Sequence, residues 1–178
     1  MSIRSYLQPW SGHAVRHIPK LASYDIYDFR YAGRSSENRW NRQGQATLYL
    51  AKEKNVALAE YARHLDVDRS ISIKSQAQER AVYRFEVRLP AVVDFCRPEI
   101  WQELSLKNAP NCFKDKNIVR ACADFIRYTT PATAIFVPSI AFLDAPENWC
   151  LVIFLEKLPV DPRDFLPAVV EDGTFRVD

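Results

Sequence analysis

Glu60 stands inside VALAEYA, where nearly every neighbour is apolar. A carboxylate in such a run costs several kcal/mol unless it is paired or put to use. On a helix it shares a face with Val56 and Ala57 one turn back and with Arg63 and His64 one turn on. Two roles stay open: a solvated, salt-bridged helix glutamate, or a carboxylate reserved for a reaction. The loop ahead of it carries Arg39, Trp40 and Asn41, and the strand between carries Tyr49. Arg39 is either a solvated loop charge or an anion clamp, and Trp40 either caps the core or offers a stacking surface. Taken with Tyr49 and Glu60, they bring together an anion-binding group, an aromatic face and one carboxylate.

Further along, three positions invite the same question. Arg16 lies mid-strand in AVRHIP, on a wet edge or in a cleft, and alternation sends His17 to the other side of the strand. Ser139 follows Pro138 at a strand end, where it either caps the next turn or presents a hydroxyl to a ligand. The three histidines, at 13, 17 and 64, form no local Ser/His/Asp pattern. Gly-x-Ser-x-Gly and Gly-rich phosphate-loop motifs are absent, which disfavours hydrolase elbows, kinases and Rossmann dehydrogenases.

The elements that must hold these residues follow from periodicity. Strands are predicted at about 13–18, 46–51, 81–89, 134–138 and 149–156, and helices at about 53–65, 98–106 and 116–128. In the third strand Tyr83, Phe85, Val87 and Leu89 face one way and Arg84, Glu86 and Arg88 the other. The last strand is continuously apolar, as befits a sheet interior. The helix at 116–128 sets Ile118, Val119, Cys122, Phe125 and Ile126 on one face. Residues 66–80 are polar and read as a surface excursion. This mixture predicts an α+β fold, one compact domain over 1–178 with a twisted mixed or antiparallel sheet and flanking helices.

Composition sets the remaining bounds. The chain has 178 residues, 48% of them apolar, and a net charge of +2 from 24 basic and 22 acidic side chains. So even a balance gives no reason to expect nucleic acid or an anionic membrane as partner. Cysteines 96, 112, 122 and 150 form no Cys-x-x-Cys pair and read as buried thiols, not metal ligands. Without a signal-like N-terminus or a membrane-length apolar run, a cytoplasmic location is expected.

Together the residues RWN, TLYLA and ALAEYARHL, with AVRHIP before and VPSIAFLDAPENWCLVIFL after, resemble the RES-domain proteins. That family, named for an Arg, a Glu and a Ser, includes the toxins of RES–Xre toxin–antitoxin pairs. The resemblance implies a fold like the diphtheria-toxin-like ADP-ribosyltransferases. It also implies an enzyme that breaks the nicotinamide–ribose bond of NAD⁺, as a glycohydrolase or phosphorylase. Arg39, Glu60 and Ser139 then match the catalytic set, while Arg16, Tyr49 and Trp40 bind substrate. NAD⁺ enters as substrate, with no metal or cofactor, and a separate Xre-like protein is the expected antitoxin; a homodimer is left open. Transfer of ADP-ribose to a macromolecule and a non-catalytic nucleotide-binding module are the alternatives. One departure stands out: the family usually carries two glycines just before RWN, and here they are Glu37 and Asn38.

Overall fold

The alternation at residues 81–89 runs further than the sequence suggested. In the computed structural model, which describes residues 2–67 and 79–177, it belongs to a strand from Arg80 to Asp94. Pro90, which reads as a stop, is exposed and lies beside a register shift between Gln8 and Trp10 of the neighbouring strand. A residue with no N–H is tolerated at such a bulge, so the strand continues past it.

Among the described residues six strands form the sheet: β1 (Gln8–Pro19), β2 (Thr47–Ala51), β3 (Arg80–Asp94), β4 (Ala134–Pro138), β5 (Trp149–Phe154) and β6 (Ala168–Phe175). Three α-helices among the described residues accompany them, α1 (Lys54–Val67), α2 (Pro98–Glu103) and α3 (Lys116–Thr129). The strand order is β1-β2-β5-β4-β3-β6, and β1 pairs with β3 as well. Five strands therefore close on themselves, with β6 added along the first half of β3. Only β3 and β4 run parallel; the other pairs are antiparallel. This is the mixed-sheet α+β architecture expected from the sequence.

Residues alternate between two cores. Ala134 and Phe136 of β4 and Leu151 and Ile153 of β5 turn into the closed sheet with Phe85, Val87 and Leu166. Ile135, Val137, Val152 and Phe154 turn outward, under Val119, Ala123 and Ile126 of α3. The continuous apolar run of β5 is explained by this burial on both faces, between β2 and β4.

Three expectations need correction. β1 starts at Gln8, not 13, because its pairing with β3 extends to Val92. β6 had no counterpart in the sequence reading, since its mostly exposed residues AVVEDGTF carry no apolar alternation. On α3 the buried stripe is Val119, Cys122, Ala123 and Ile126, which leaves Phe125 exposed. Most of the excursion placed at 66–80 lies outside the described residues. All four cysteines are free thiols. Among the described residues no helix is long and apolar enough to cross a membrane.

The long connection from β1 to β2 matters most for function, and a buried amide organises it. Asn41 is 1% exposed. Its Nδ2 donates to the carbonyls of Gly33 at 3.0 Å and Arg42 at 2.7 Å, and its Oδ1 accepts from the Tyr49 hydroxyl at 2.9 Å. The same Tyr49 oxygen accepts the Trp40 N–H at 2.9 Å. Gly33 has a φ of +81°, and a Cβ there would lie 1.8 Å from the Gln45 carbonyl oxygen. Only glycine fits.

Two stability changes should follow. Gly33→Ala drives the loop off Gln45 and should cost roughly 1–3 kcal/mol, read as a lower urea midpoint; an unshifted midpoint would mean the loop is not fixed at this point. Tyr49→Phe strips a partner from both the Trp40 N–H and Asn41 Oδ1, for an expected loss of about 1–3 kcal/mol by the same measurement.

Candidate active site

Helix α1 follows β2 after only two residues, so Glu60 is set beside the sheet by chain continuity alone. Val56 and Ala57, one turn back, are buried against Val15, Ala51, Val82 and Phe175. This anchors the helix and leaves Glu60 on its flank, with the side chain 27% exposed. The carboxylate meets the end of β4. Ser139 Oγ donates to Glu60 Oε1 at 2.5 Å, and the Ala141 N–H donates to the same oxygen at 3.1 Å. Arg63 Nε lies 3.7 Å from the other oxygen.

Ser139 sits at the N-cap of the turn Ile140–Phe142 but makes no side-chain cap bond; its 1% exposed hydroxyl serves Glu60 instead. Glu60 is neither a solvated helix glutamate nor a buried charge without a partner. A hydroxyl, an amide and a guanidinium meet it, which is what makes its position affordable.

Around Glu60 lies a cleft in two lobes of about 370 and 320 Å³. Glu60, His17, Asn38, Tyr49 and Cys150 line both, so they mark the waist. Arg16, Tyr31 and Gly33 line the first lobe; Arg39, Arg63 and His64 line the second. The two arginines do not share one wall, as a common phosphate clamp would need; they serve different lobes. Arg16 Nη1 donates to the Ile26 carbonyl at 2.7 Å, its guanidinium stands over Phe29, and burial pulls its pKa below the usual value. Arg39 Nη1 donates to the carbonyls of Lys114 at 2.8 Å and Phe113 at 3.2 Å.

Trp40 does not offer a stacking surface. Its side chain is 2% exposed and packs edge-on against Phe95 and Phe113, with centroids at 5.6 and 5.4 Å. In this loop Arg39 lines the cleft while the Trp40 ring joins the core. Tyr49 does line the cleft, though both bonds of its hydroxyl are spent on the loop, and burial raises its pKa.

As alternation predicts, His17 turns to the other side of the strand from Arg16, toward Tyr61 and Phe175 where Arg16 meets Ile26 and Phe29, and yet both line the first lobe. β1 and β2 pair at Val15 and Ala51, so past Val15 the outer edge of β1 opens on the cleft. Arg80 Nε donates to His17 Nδ1 at 3.0 Å, and the ring stands edge-on to Tyr61 and Phe175. Burial pulls its pKa down to about 3, with Arg80 and then Arg16 adding to the effect. Cys150 is held protonated by burial and by the nearby Glu60 charge.

Another cavity, of about 240 Å³, is lined by Trp10, Phe136 and Trp149 with Asp94 and Arg97. Its wall residues alternate along β4 and β5 with Val137 and Cys150 of the cleft, so it lies on the opposite face of those strands. Among the described residues no group of three His, Cys, Asp or Glu side chains could hold a metal ion. The cleft thus offers cationic groups in both lobes and a hydrogen-bonded carboxylate between them.

Comparison with known proteins agrees with this geometry at the level of fold and family. The crystal structure of the M. tuberculosis MbcT–MbcA toxin–antitoxin complex contains a similar chain, with a TM-score of 0.64 and 15% identity. The match covers 98% of this chain and 89% of that one. At such identity the likeness is one of fold. No curated protein matches the chain in sequence. The family model for the RES domain matches residues 14–178, a span that takes in Arg16, Arg39, Tyr49, Glu60 and Ser139, and the chain belongs to the RES domain family.

Proposed function

We propose that this protein degrades NAD⁺ by cleaving the bond between nicotinamide and ribose, and that it acts as the toxin of a toxin–antitoxin pair. The observation that carries the reading is Glu60 at the waist of the cleft, held by Ser139 Oγ and the Ala141 N–H, with arginines in both lobes. A dinucleotide carries a cationic nicotinamide ring on one ribose carbon and an anionic pyrophosphate further along. It suits a two-lobed cleft with a carboxylate where the lobes meet, for the cationic reacting centre, and guanidiniums in the lobes beyond, for the phosphates.

In the reaction the C1′–N bond breaks, its electron pair leaves with nicotinamide, and the ribose becomes oxocarbenium-like. A carboxylate fixed beside that carbon stabilises the developing positive charge, as it does in glycosidases. Ser139 and Ala141 hold Oε1, which leaves Glu60 pre-oriented and removes a reorganisation cost from the barrier. Water attacking C1′ gives ADP-ribose and a proton; phosphate gives the corresponding ester. Arg39, braced on the carbonyls of Phe113 and Lys114, binds phosphate oxygens. A fold of the ADP-ribosyltransferase kind fits this chemistry. The toxin role draws on family membership and on the toxin–antitoxin complex that the fold resembles; the antitoxin would be a separate protein.

Purified protein given NAD⁺, with and without phosphate, should release nicotinamide together with ADP-ribose or its phosphate ester, read by mass spectrometry. A mass shift on protein would instead identify a transferase, and NAD⁺ binding without products a binding module. Glu60→Gln should lower the rate by on the order of 100-fold or more and leave NAD⁺ affinity nearly unchanged. It should also melt close to wild type, because Gln still offers an oxygen to Ser139 and Ala141. Arg39→Ala should mainly weaken NAD⁺ binding. A fully active Glu60→Gln protein would sink the mechanism.

A further inference from the structure

We propose that His17 is a substrate-binding residue of the cleft: a neutral imidazole, fixed by Arg80 as an Nε2–H donor, that hydrogen-bonds an uncharged oxygen beside the bond that breaks. This rests on the NAD⁺ reading and deepens it. His17 lines both lobes, as Glu60 does, so the ring stands at the waist and not at either end. Its Nδ1 accepts from Arg80 Nε at 3.0 Å, and a nitrogen that accepts cannot carry the proton. The proton of the neutral ring is therefore on Nε2. Among the described residues Nε2 has no hydrogen-bond partner. It is a donor in a ligand-sized cleft with nothing yet to donate to.

Neutrality is as important as position. Burial disfavours a charge on the ring, and Arg80 on β3 and Arg16 on β1 add to it; Glu60, Tyr61, Arg63 and His64 on α1 line the same lobes, and Phe175 of β6 meets the ring edge-on. An imidazolium would repel both the cationic nicotinamide of the substrate and the oxocarbenium that follows. A neutral N–H binds a carbonyl or hydroxyl oxygen without that penalty. Arg80 is the positioning residue. It sets the tautomer and adds to burial in keeping the second proton off, while its guanidinium stacks on Tyr61 at 5.0 Å.

The test joins a measurement on the resting protein to kinetics. Nitrogen NMR of the wild type should show the Nε2–H tautomer, with no protonation until the pH falls far below the usual histidine value of about 6.5. His17→Phe keeps the edge contacts but loses the donor, and should lower kcat/KM for NAD⁺ roughly tenfold; His17→Gln, which restores an N–H, should recover part of it. Arg80→Met, which removes the donor to Nδ1, should let the other tautomer appear in the same nitrogen spectra and lower kcat/KM, while burial still keeps the ring neutral. Protonation of wild-type His17 near pH 6.5, or undiminished kcat/KM in His17→Phe, would overturn the proposal. If Glu60→Gln is impaired while His17→Phe is not, only the role of His17 falls. If the wild type leaves NAD⁺ intact although the tautomer is as expected, the NAD⁺ reading falls and this role with it.

Discussion

Val15 and Ala51 form the pairing between β1 and β2, while β1 is zipped to β3 from Gln8 to Pro19. The architecture turns on that asymmetry. A closed sheet hides its backbone groups from solvent, but here the closure is made at one point, and past it the strands stand apart. Side chains from both faces of β1 can then border the gap at the strand's edge. This is why Arg16 and His17, neighbours in sequence, serve one cleft. Helix α1, seated over that pairing by Val56 and Ala57, covers the gap and sets Glu60 at its edge. The β4–β5 turn supplies Ser139 and Ala141 from across it.

The electrostatics are local in the same sense. A chain with net charge +2 nonetheless gathers Arg16, Arg39 and Arg63 in the cleft around one carboxylate, with Arg80 behind His17. Like charges this close are costly unless each is compensated. Backbone carbonyls do part of that work: Ile26 for Arg16, Phe113 and Lys114 for Arg39. Carbonyl oxygens accept hydrogen bonds without neutralising the cation, so the arginines remain charged toward the cleft. His17 takes the opposite course, giving up its charge and acting as acceptor for Arg80.

What the sequence disclosed and what it hid divide along a physical line. Periodicity reports burial, so the strands at 134–138 and 81–89, the helix of residues 116–128 and the doubly buried β5 were legible. Glu60 was legible because a carboxylate in an apolar run demands a partner; Ser139 stood out by its place at a strand end, and its bond to Glu60 joins the two. Trp40 and Phe125 went astray because a large aromatic is equally at home in a core or at its margin, and only the neighbours decide. β6 was hidden because an exposed edge strand leaves no apolar trace. The siting of His17 and the division of the arginines between lobes depend on where two strands part. That is a tertiary event with no local signature.

The loop before Arg39 shows how a missing local rule can be met from elsewhere in the fold. Glycines there would allow close backbone approach through their own freedom; this chain has Glu37 and Asn38, which have less. Helix α3 supplies the order instead. Arg120 donates to the carbonyls of Ser36 and Asn38 at 2.6 Å each, and Lys116 pairs with Glu37 at 2.8 Å. That helix is itself tied to the strand after the loop, since buried Arg127 donates to Thr47 Oγ1 at 2.7 Å and stacks over Phe154. Loop, helix and strand thus form one braced unit, with Asn41 and Tyr49 fastening its inner side. In such a unit the placing of Arg39 rests on bonds made to the loop from outside. Glycine freedom is then dispensable at positions 37 and 38, while Gly33, pressed against Gln45, remains obligatory.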